Sequence, residues 1–317
     1  MQIKVIENKK KYYALSCIVI GLGLLFMVIN MVRGQGAFSK DIQFTGGSLI
    51  QVNVNQSFSN DLRDQIESIT TEVTGHDNIN ITSSGETGVI ITMPQTATDI
   101  RAKLFDQIKE KYNLQDSDLL ADEDVSASIS KDIQAGAIKA VVAGTILILI
   151  YISFRFKDYR FGASAVAALV HDVLVMLAVY AIFRVPLNNS FIAAMLTIVG
   201  YSINDTIVVF DRIRENKVRR GLKENELASI ELVDDSVNQT VGRSVSTSFT
   251  TIIMVILLFI LGTDSVREFA FPLIIGILSG TYSSIFIASP LWYDLTSHSV
   301  KKNQAQAKTG KKKVKKA

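Results

Sequence analysis

The sequence has few of the residues from which disulfide frameworks and metal sites are built. It contains one cysteine, Cys17, in 317 residues, so neither a disulfide framework nor a thiolate metal site is available. Its three histidines, at positions 76, 171 and 298, are scattered along the chain, which argues against a zinc site. We therefore expect neither a metal nor a cofactor.

Charged residues are also scarce. They make up 20% of the chain, and hydrophobic residues make up 48%, whereas soluble proteins usually carry more charge. Six apolar segments account for the difference, and a helix of about 20 residues is long enough to cross a ~30 Å hydrocarbon core. The sequence therefore predicts an α-helical membrane protein with six transmembrane helices, at about 12–32, 133–154, 161–183, 189–210, 244–262 and 269–293.

The first apolar segment, 12–32, follows a lysine-rich start and could in principle be a signal peptide. Its apolar run is too long for one, and the stretch NMVRGQGAFS offers a poor small-residue cleavage site. We interpret it as a retained transmembrane helix.

Basic residues predict the topology. The net charge is only +3, but lysine and arginine crowd the N-terminus 1–11, the turn RFKDYR, the loop 211–243 and the tail 294–317. By the positive-inside rule these segments are cytoplasmic, and six helices are consistent with both termini on that side. The tail could bind nucleic acid or acidic lipid, but a solvated topological anchor also explains it, and we expect no nucleic-acid partner.

Residues 33–132, between the first two apolar segments, are predicted to form an external domain. SLIQVNV alternates like a strand, SNDLRDQIESITTEV has a helical stripe with Ser59 or Asn60 as its cap, and GET separates two strands of a hairpin. A helix over ATDIRAKLFDQIKEKY and a weaker strand near 119–126 follow. The resulting β-α-β-β-α-β order predicts a small α+β ferredoxin-like domain.

Three further patterns bear on packing. FTGG, residues 44–47, contains paired glycines, which can adopt positive φ. An ordinary tight turn would also explain these glycines. Leu227, Ile230, Val233 and Val237 predict an amphipathic helix that lies on the membrane or on a partner. Gly276, Gly280 and Ser284 recur every four residues, which lets another helix approach closely.

Asp205 is the strongest candidate functional residue. It lies in the apolar stretch IVGYSINDTIVVF, and an ionisable side chain at mid-bilayer costs about 2.5–3.5 kcal/mol on insertion scales. Such a residue usually faces a bundle interior or a wet cavity. A carboxyl group there could take up a proton from one side and release it to the other. Asn204 beside it and Ser202, three residues earlier, could hydrogen-bond to it.

Proton release needs a group that favours the carboxylate, and Arg243 at the start of the fifth helix is the best candidate. Ser246, Thr247 and Thr250 follow it at helical spacing and could line a path for water or protons. Alternatively, Arg243 snorkels to the interface and the hydroxyl groups only pack against other helices.

Asp172, next to His171 in the third helix, is a second candidate. It could belong to the same proton relay as Asp205, or it could be a structural hydrogen-bond partner for a neighbouring helix. The residues leave both roles open. They also leave open whether the coupling ion is a proton or sodium, because carboxylate, hydroxyl and amide groups suit either ion.

The stretch VGYSINDTIVVFDRIREN, residues 199–216, resembles the fourth-helix signature of the SecF family, the smaller subunits of SecD–SecF protein-export complexes. FTGG and Arg243 followed by SVSTSFTT match the same family. The resemblance implies a half-unit of the resistance–nodulation–division architecture, in which six helices pair with six from SecD. It also places Asp205 at the family's proton-binding aspartate and Arg243 at its functional arginine.

The resemblance implies an accessory translocase subunit in the cytoplasmic membrane, not an enzyme. Proton-motive force would move the external domain, which handles a preprotein emerging from the SecYEG channel, with YajC as a further partner. A purely structural assembly subunit is the main alternative. An intramembrane aspartyl protease using Asp172 and Asp205 fits poorly, because YSIND lacks the glycine-x-glycine of such enzymes and HD replaces their tyrosine-aspartate. A small-molecule exporter of the same superfamily would have larger external domains.

Overall fold

The computed structural model describes residues 3–156, 158–222 and 229–300. The helices are α1 (Lys9–Val32), α2 (Ile42–Thr45), α3 (Asn60–Thr74), α4 (Thr98–Tyr112), α5 (Ala127–Phe156), α6 (Tyr159–Phe183), α7 (Asn189–Arg219), α8 (Ile230–Leu261) and α9 (Asp264–Ser283). The strands are β1 (Gly47–Asn53), β2 (Asn80–Ser84), β3 (Gly88–Met93) and β4 (Leu119–Val125). Helical structure continues from α9 through a π-helical segment, Ser284–Ala288, to Val300.

Six of these helices, α1 and α5 to α9, are long and apolar enough to cross a membrane, which confirms the six predicted helices. The chain divides into two compact units. The helical unit comprises the described residues of 1–38, 140–185 and 190–317, and the α/β domain comprises residues 39–139 with 186–189.

The α/β domain has the predicted ferredoxin-like fold. Its antiparallel sheet has the strand order β2-β3-β1-β4, with Ile50 of β1 opposite Ile91 of β3. Alternate residues of β1 and β3 are buried, as period-2 patterning requires. They form one apolar core with the stripes of α3 and α4, represented by Ile66, Leu104 and Ile108.

The helix cap and the glycine conformations predicted for this domain are both present. The Ser59 side chain caps α3 by accepting a hydrogen bond of 3.2 Å from the Leu62 backbone N–H. Both glycines of FTGG have positive φ, +73° at Gly46 and +132° at Gly47. A Cβ at Gly47 would lie 2.6 Å from the Met93 carbonyl oxygen, so the second glycine is required by this close approach as well as by its φ.

One part of the α/β domain lies outside the predicted range 33–132. The segment 186–189, between α6 and α7, pairs with residues just after α1. The Leu187 N–H donates to the Ser39 carbonyl and the Asp41 N–H donates to the Leu187 carbonyl, both at 3.0 Å. The sequence carries no periodic signal over so short a bridge, so the prediction missed it.

In the helical unit, the predicted loop 211–243 consists largely of helix. α7 runs on to Arg219, and α8 begins at Ile230 with Ser229 as its cap. The predicted amphipathic face at Val233 and Val237 packs inside this chain's own core and not on a membrane or partner surface. Leu227 of that prediction, and residues 301–317 of the predicted tail 294–317, lie outside the described residues.

The N-terminal segment covers this face of α8. Val5 and Ile6 are buried in the same core as Val233 and Val237. Asn238 bonds to Ile3 in both directions, accepting from its N–H at 2.7 Å and donating to its carbonyl at 2.8 Å. The amphipathic pattern therefore correctly predicted a helix. Its apolar face is covered by the N-terminal segment at Val233 and Val237, whereas Ile230 of the same predicted face is exposed.

Candidate functional site

Asp205 is buried inside the helical unit, as its apolar surroundings in the sequence predicted. It lies on α7 and only 4% of its surface is exposed. The hydroxyl groups of Ser244 and Ser248 on α8 lie beside its carboxyl group, and Arg243 is within electrostatic range. Within the described residues, neither Asp205 Oδ2 nor Ser244 Oγ has a hydrogen-bond partner of good geometry. The carboxyl group thus has one buried oxygen with unused hydrogen-bonding capacity.

Asp172 lies in a contrasting environment. Only 1% of its surface is exposed, and both of its carboxylate oxygens accept hydrogen bonds. Ser279 on α9 donates to Oδ1 at 2.7 Å. Ser202 on α7 and Ser283 on α9 donate to Oδ2 at 2.7 and 2.8 Å. Asp172 on α6 is therefore tied to two other helices.

His171 extends this network to α1. Its Nδ1 lies 3.1 Å from Asp172 Oδ1, and its Nε2 lies 2.9 Å from the hydroxyl oxygen of Ser16. As the Nδ1–H tautomer, a neutral imidazole donates to the carboxylate and accepts from the serine. No hydrogen bond between Asp172 and Asp205 occurs in the part of the chain that the structure describes, so the two carboxyl groups do not share a proton as an aspartyl protease dyad would.

Small residues bring α7 and α9 into register around the two aspartates. A Cβ on Gly276 would lie 2.4 Å from Ile198 Cγ1, and one on Gly280 would lie 2.9 Å from Ser202 Cβ. One turn further, the hydroxyl groups of Thr206 and Ser284 are 2.8 Å apart. The three contacts repeat every four residues on both helices, which confirms the close helix approach predicted from Gly276, Gly280 and Ser284.

Several of the other predicted site residues point away from Asp205 or bond elsewhere. Ser202 bonds to Asp172 and not to Asp205. Asn204 is exposed on the opposite side of α7 from Ser202, and Arg243 is exposed on α8. The predicted pathway residues Ser246, Thr247 and Thr250 are exposed as well. Thr247 and Thr250 donate to the carbonyls of Arg243 and Thr247, both at 2.9 Å, so these two hydroxyl groups satisfy their own helix.

The hydroxyl groups that do surround the two aspartates were missed from the sequence. They are Ser244 and Ser248 on α8 and Ser279 and Ser283 on α9. Each pair is spaced by four residues, which places both members on one helix face. That spacing could have indicated these residues. On α8, however, the segment 244–251 contains so many hydroxyl residues that spacing alone does not distinguish the buried Ser244 and Ser248 from the others.

The buried carboxyl group of Asp205 can bind a proton, and the nearby guanidinium group of Arg243 can favour the release of that proton. The described residues contain no cluster of three or more histidine, cysteine or acidic side chains suited to a metal ion.

Comparisons with known proteins agree with these features. Residues 105–298 match the family "Protein export membrane protein SecD/SecF, C-terminal". The chain is 36% identical over 280 residues to protein translocase subunit SecF of Petrotoga mobilis, covering 86% of this chain and 90% of that protein. It is 35% identical to SecF of Sebaldella termitidis over 98% of this chain and 97% of that one.

A solved structure of SecDF from Thermus thermophilus, described as a translocon-associated membrane protein, has the same fold. It superimposes with a TM-score of 0.79 and 31% identity over 92% of this chain and 38% of the longer SecDF chain. These relatives are named translocase subunits, which agrees with the prediction that the chain is not an enzyme. The family match, together with the SecF relatives that align over nearly the whole length, shows that the chain belongs to the SecD/SecF family of protein-export membrane proteins.

Proposed function

We propose that the chain is an accessory subunit of the Sec protein translocase that pairs with SecD and uses the proton-motive force to promote preprotein translocation. The observation that carries this proposal is Asp205, a carboxyl group buried on α7. One of its oxygens has no hydrogen-bond partner among the described residues, two hydroxyl groups lie beside it, and Arg243 is within electrostatic range. A purely structural subunit would be served at lower cost by a neutral asparagine at this position.

Pairing with SecD is supported by two observations. Relatives from Bacillus subtilis and Thermus thermophilus are named SecDF, and this chain aligns with 39% and 23% of their respective lengths. In addition, Asn204 and Arg243 are exposed on helices of membrane-spanning length. Polar side chains facing lipid are costly, so a second set of helices would cover this face.

The proposed orientation rests on the basic residues. Those near the start of α1, at the turn between α5 and α6 and at the end of α7 favour a cytoplasmic location for these segments by the positive-inside rule. Both termini would then lie on the cytoplasmic side of the membrane. The α/β domain would lie on the external side, where it would meet a preprotein leaving SecYEG. YajC and membrane lipid are further proposed contacts.

In the proposed mechanism, Asp205 takes up a proton and Arg243 favours its release to the other side. A proton that crosses about 100 mV brings about 2.3 kcal/mol, which biases a two-state motion of the α/β domain modestly in each cycle.

The test is gradient-driven translocation of a preprotein into vesicles that contain the chain with its translocase partners. We expect Asp205→Asn to remove the stimulation by the proton gradient. The matched control is Asp211→Asn, the same change on the same helix at an exposed carboxylate that pairs with Arg155 at 3.0 Å. Full stimulation in Asp205→Asn would refute the proposal, and stimulation that follows a sodium gradient instead would identify the other coupling ion.

A further inference from the structure

The two buried aspartates, Asp172 and Asp205, differ in how many hydrogen bonds their carboxyl oxygens accept. Asp172 receives hydrogen bonds from three serines, and His171 Nδ1 lies 3.1 Å from its Oδ1. Asp205 has a buried oxygen with no partner of good geometry among the described residues. A carboxylate that accepts hydrogen bonds on every side is stabilised in its charged form. The same residue type therefore occupies two environments suited to different tasks.

The donors to Asp172 come from helices that must keep a fixed relation for Asp205 to function. Ser202 on α7 lies three residues before Asp205, so the Ser202–Asp172 bond fixes the rotation of α7 close to the proton-binding site. Ser279 and Ser283 hold α9 to the same carboxylate. Gly280 lies against Ser202, so the backbone of α9 is in contact with α7 at the same level.

The connection to α1 runs through one imidazole. His171 bonds to Ser16 at 2.9 Å, and its ring stacks against Tyr282 of α9 with centroids 5.9 Å apart. The titratable and charged groups around the two carboxyl groups thus include His171 on α6, which lies against Asp172, and Arg243 on α8, which is within electrostatic range of Asp205. Tyr282 on α9 stacks on His171. Breaking a buried charge network at one member leaves the others unpaired, which makes such a network a rigid anchor.

We propose that Asp172 is a positioning residue, which anchors α6, α7 and α9 through its hydrogen bonds so that Asp205 faces Ser244 and Ser248, and that it is not a member of the proton relay. The inference rests on the proposed function of Asp205. It decides between the two roles that the sequence left open, because the hydrogen bonds of Asp172 tie three helices together, whereas Asp205 keeps a buried oxygen with no partner among the described residues.

Infrared difference spectroscopy of the full chain with SecD in vesicles tests this directly. Titration with pH reports the carbonyl band of each carboxyl group that gains a proton. We expect a titrating band that is lost in Asp205→Asn and kept in Asp172→Asn. A titrating band that disappears in Asp172→Asn would make Asp172 a proton carrier and overturn the proposal.

The positioning role has its own readout. We expect Asp172→Asn and Ser202→Ala each to move the midpoint of the Asp205 band by about 0.5 pH unit or more, because each loosens the placement of α7. Ser164→Ala is the matched control, since Ser164 is buried on α6 and, among the described residues, its hydroxyl group donates to the Arg160 carbonyl of its own helix at 2.8 Å. Midpoints in both anchor variants equal to that of Ser164→Ala would also overturn the proposal.

Two further controls keep the outcomes distinct. If Asp172→Asn does not fold, Ser283→Ala removes a single donor and should give a smaller shift of the same midpoint. If Asp205→Asn leaves every titrating band and the gradient stimulation unchanged, the proposed function fails, whatever Asp172 does.

Discussion

Ile198 of α7 lies against Gly276 of α9 so closely that a methyl group on the glycine would come within 2.4 Å of Ile198 Cγ1. This contact, with those of Ser202 at Gly280 and Thr206 at Ser284, fixes the two helices in register along three turns. Asp205 lies on α7 between the second and third of these contacts. The packing of small residues is therefore part of how the proton-binding site is built.

Gly276→Ala should destabilise the helical unit. The added methyl group overlaps Ile198, and overpacking of this kind costs about 1–3 kcal/mol. Thermal unfolding of the purified chain in detergent measures the loss. Gly200→Ala is the control, because Gly200 is on α7 with nothing within 4 Å of its added Cβ, and it should leave the chain unchanged or gain up to about 1 kcal/mol. Equal unfolding temperatures for the two variants would contradict the described α7–α9 contact.

The buried serines beside Asp205 should matter more for translocation than the exposed hydroxyl residues near them. Ser244→Ala and Ser248→Ala each remove a hydroxyl group next to the carboxyl group. We expect gradient-driven translocation to slow by about tenfold, because the polar surroundings of the carboxylate weaken, and tenfold corresponds to about 1.4 kcal/mol. Ser246→Ala, two positions away on the exposed side of α8, should have a smaller effect. A larger effect of Ser246→Ala would favour the pathway originally predicted from the sequence.

These serines illustrate what the sequence could and could not predict. Hydropathy and length predicted the six helices, and period-2 and period-3.6 patterns predicted the ferredoxin-like order, because both depend on local spacing. The burial of Asp205 followed from the cost of exposing it to lipid. Which hydroxyl residues of α8 face it depends on the rotation of α8 against α7, and no local pattern sets that rotation.

The partners of Asp172 show the same limit. Ser279 and Ser283 lie more than 100 positions further along the chain, and only the packing of α6 against α9 brings them to the carboxylate. The sequence also could not predict what Val233 and Val237 pack against. An apolar helix face is equally suited to a membrane, a partner or the chain's own N-terminal segment.

The N-terminal segment should be released by one substitution. Asn238→Ala removes both hydrogen bonds to Ile3. We expect the docked N-terminal segment to lose about 1.4 kcal/mol of stability, which corresponds to about tenfold faster hydrogen exchange through its opening. Hydrogen exchange of residues 3–8 measures this in the full chain. Gln239→Ala is the control, because Gln239 bonds to Asn216 and not to this segment. Unchanged exchange in Asn238→Ala would show that the apolar contacts of Val5 and Ile6, with the hydrogen bond from the Ile6 N–H to Asp234, hold the segment without Asn238.

Asp41 gives the α/β domain a predictable pH dependence. Burial raises the pKa of its carboxyl group, nearby Glu123 raises it further, and the hydrogen bond from the Ile42 N–H opposes both. Because the folded pKa lies above the unfolded value of about 3.9, the native domain binds the proton more tightly, and the carboxyl group stabilises it less as pH rises through the folded pKa.

Asp41→Asn should therefore stabilise the domain at pH 7, since the amide is neutral and its oxygen can still accept from Ile42. The gain should shrink as the pH falls through the raised folded pKa, because Asp41 itself then becomes neutral. The measurement is the ratio of hydrogen-exchange rates in β1, variant to wild type, at each pH. A gain that grows as the pH falls would contradict the assigned sign.

Proton flux tests the central claim most directly. Sealed vesicles containing the chain paired with SecD, loaded with a pH-sensitive dye and given a proton gradient, report how fast protons cross. The account predicts that Asp205→Asn abolishes the protein-dependent flux, while Asp211→Asn, whose carboxylate is exposed and paired with Arg155, retains it. Equal flux through both variants would show that Asp205 does not carry the proton.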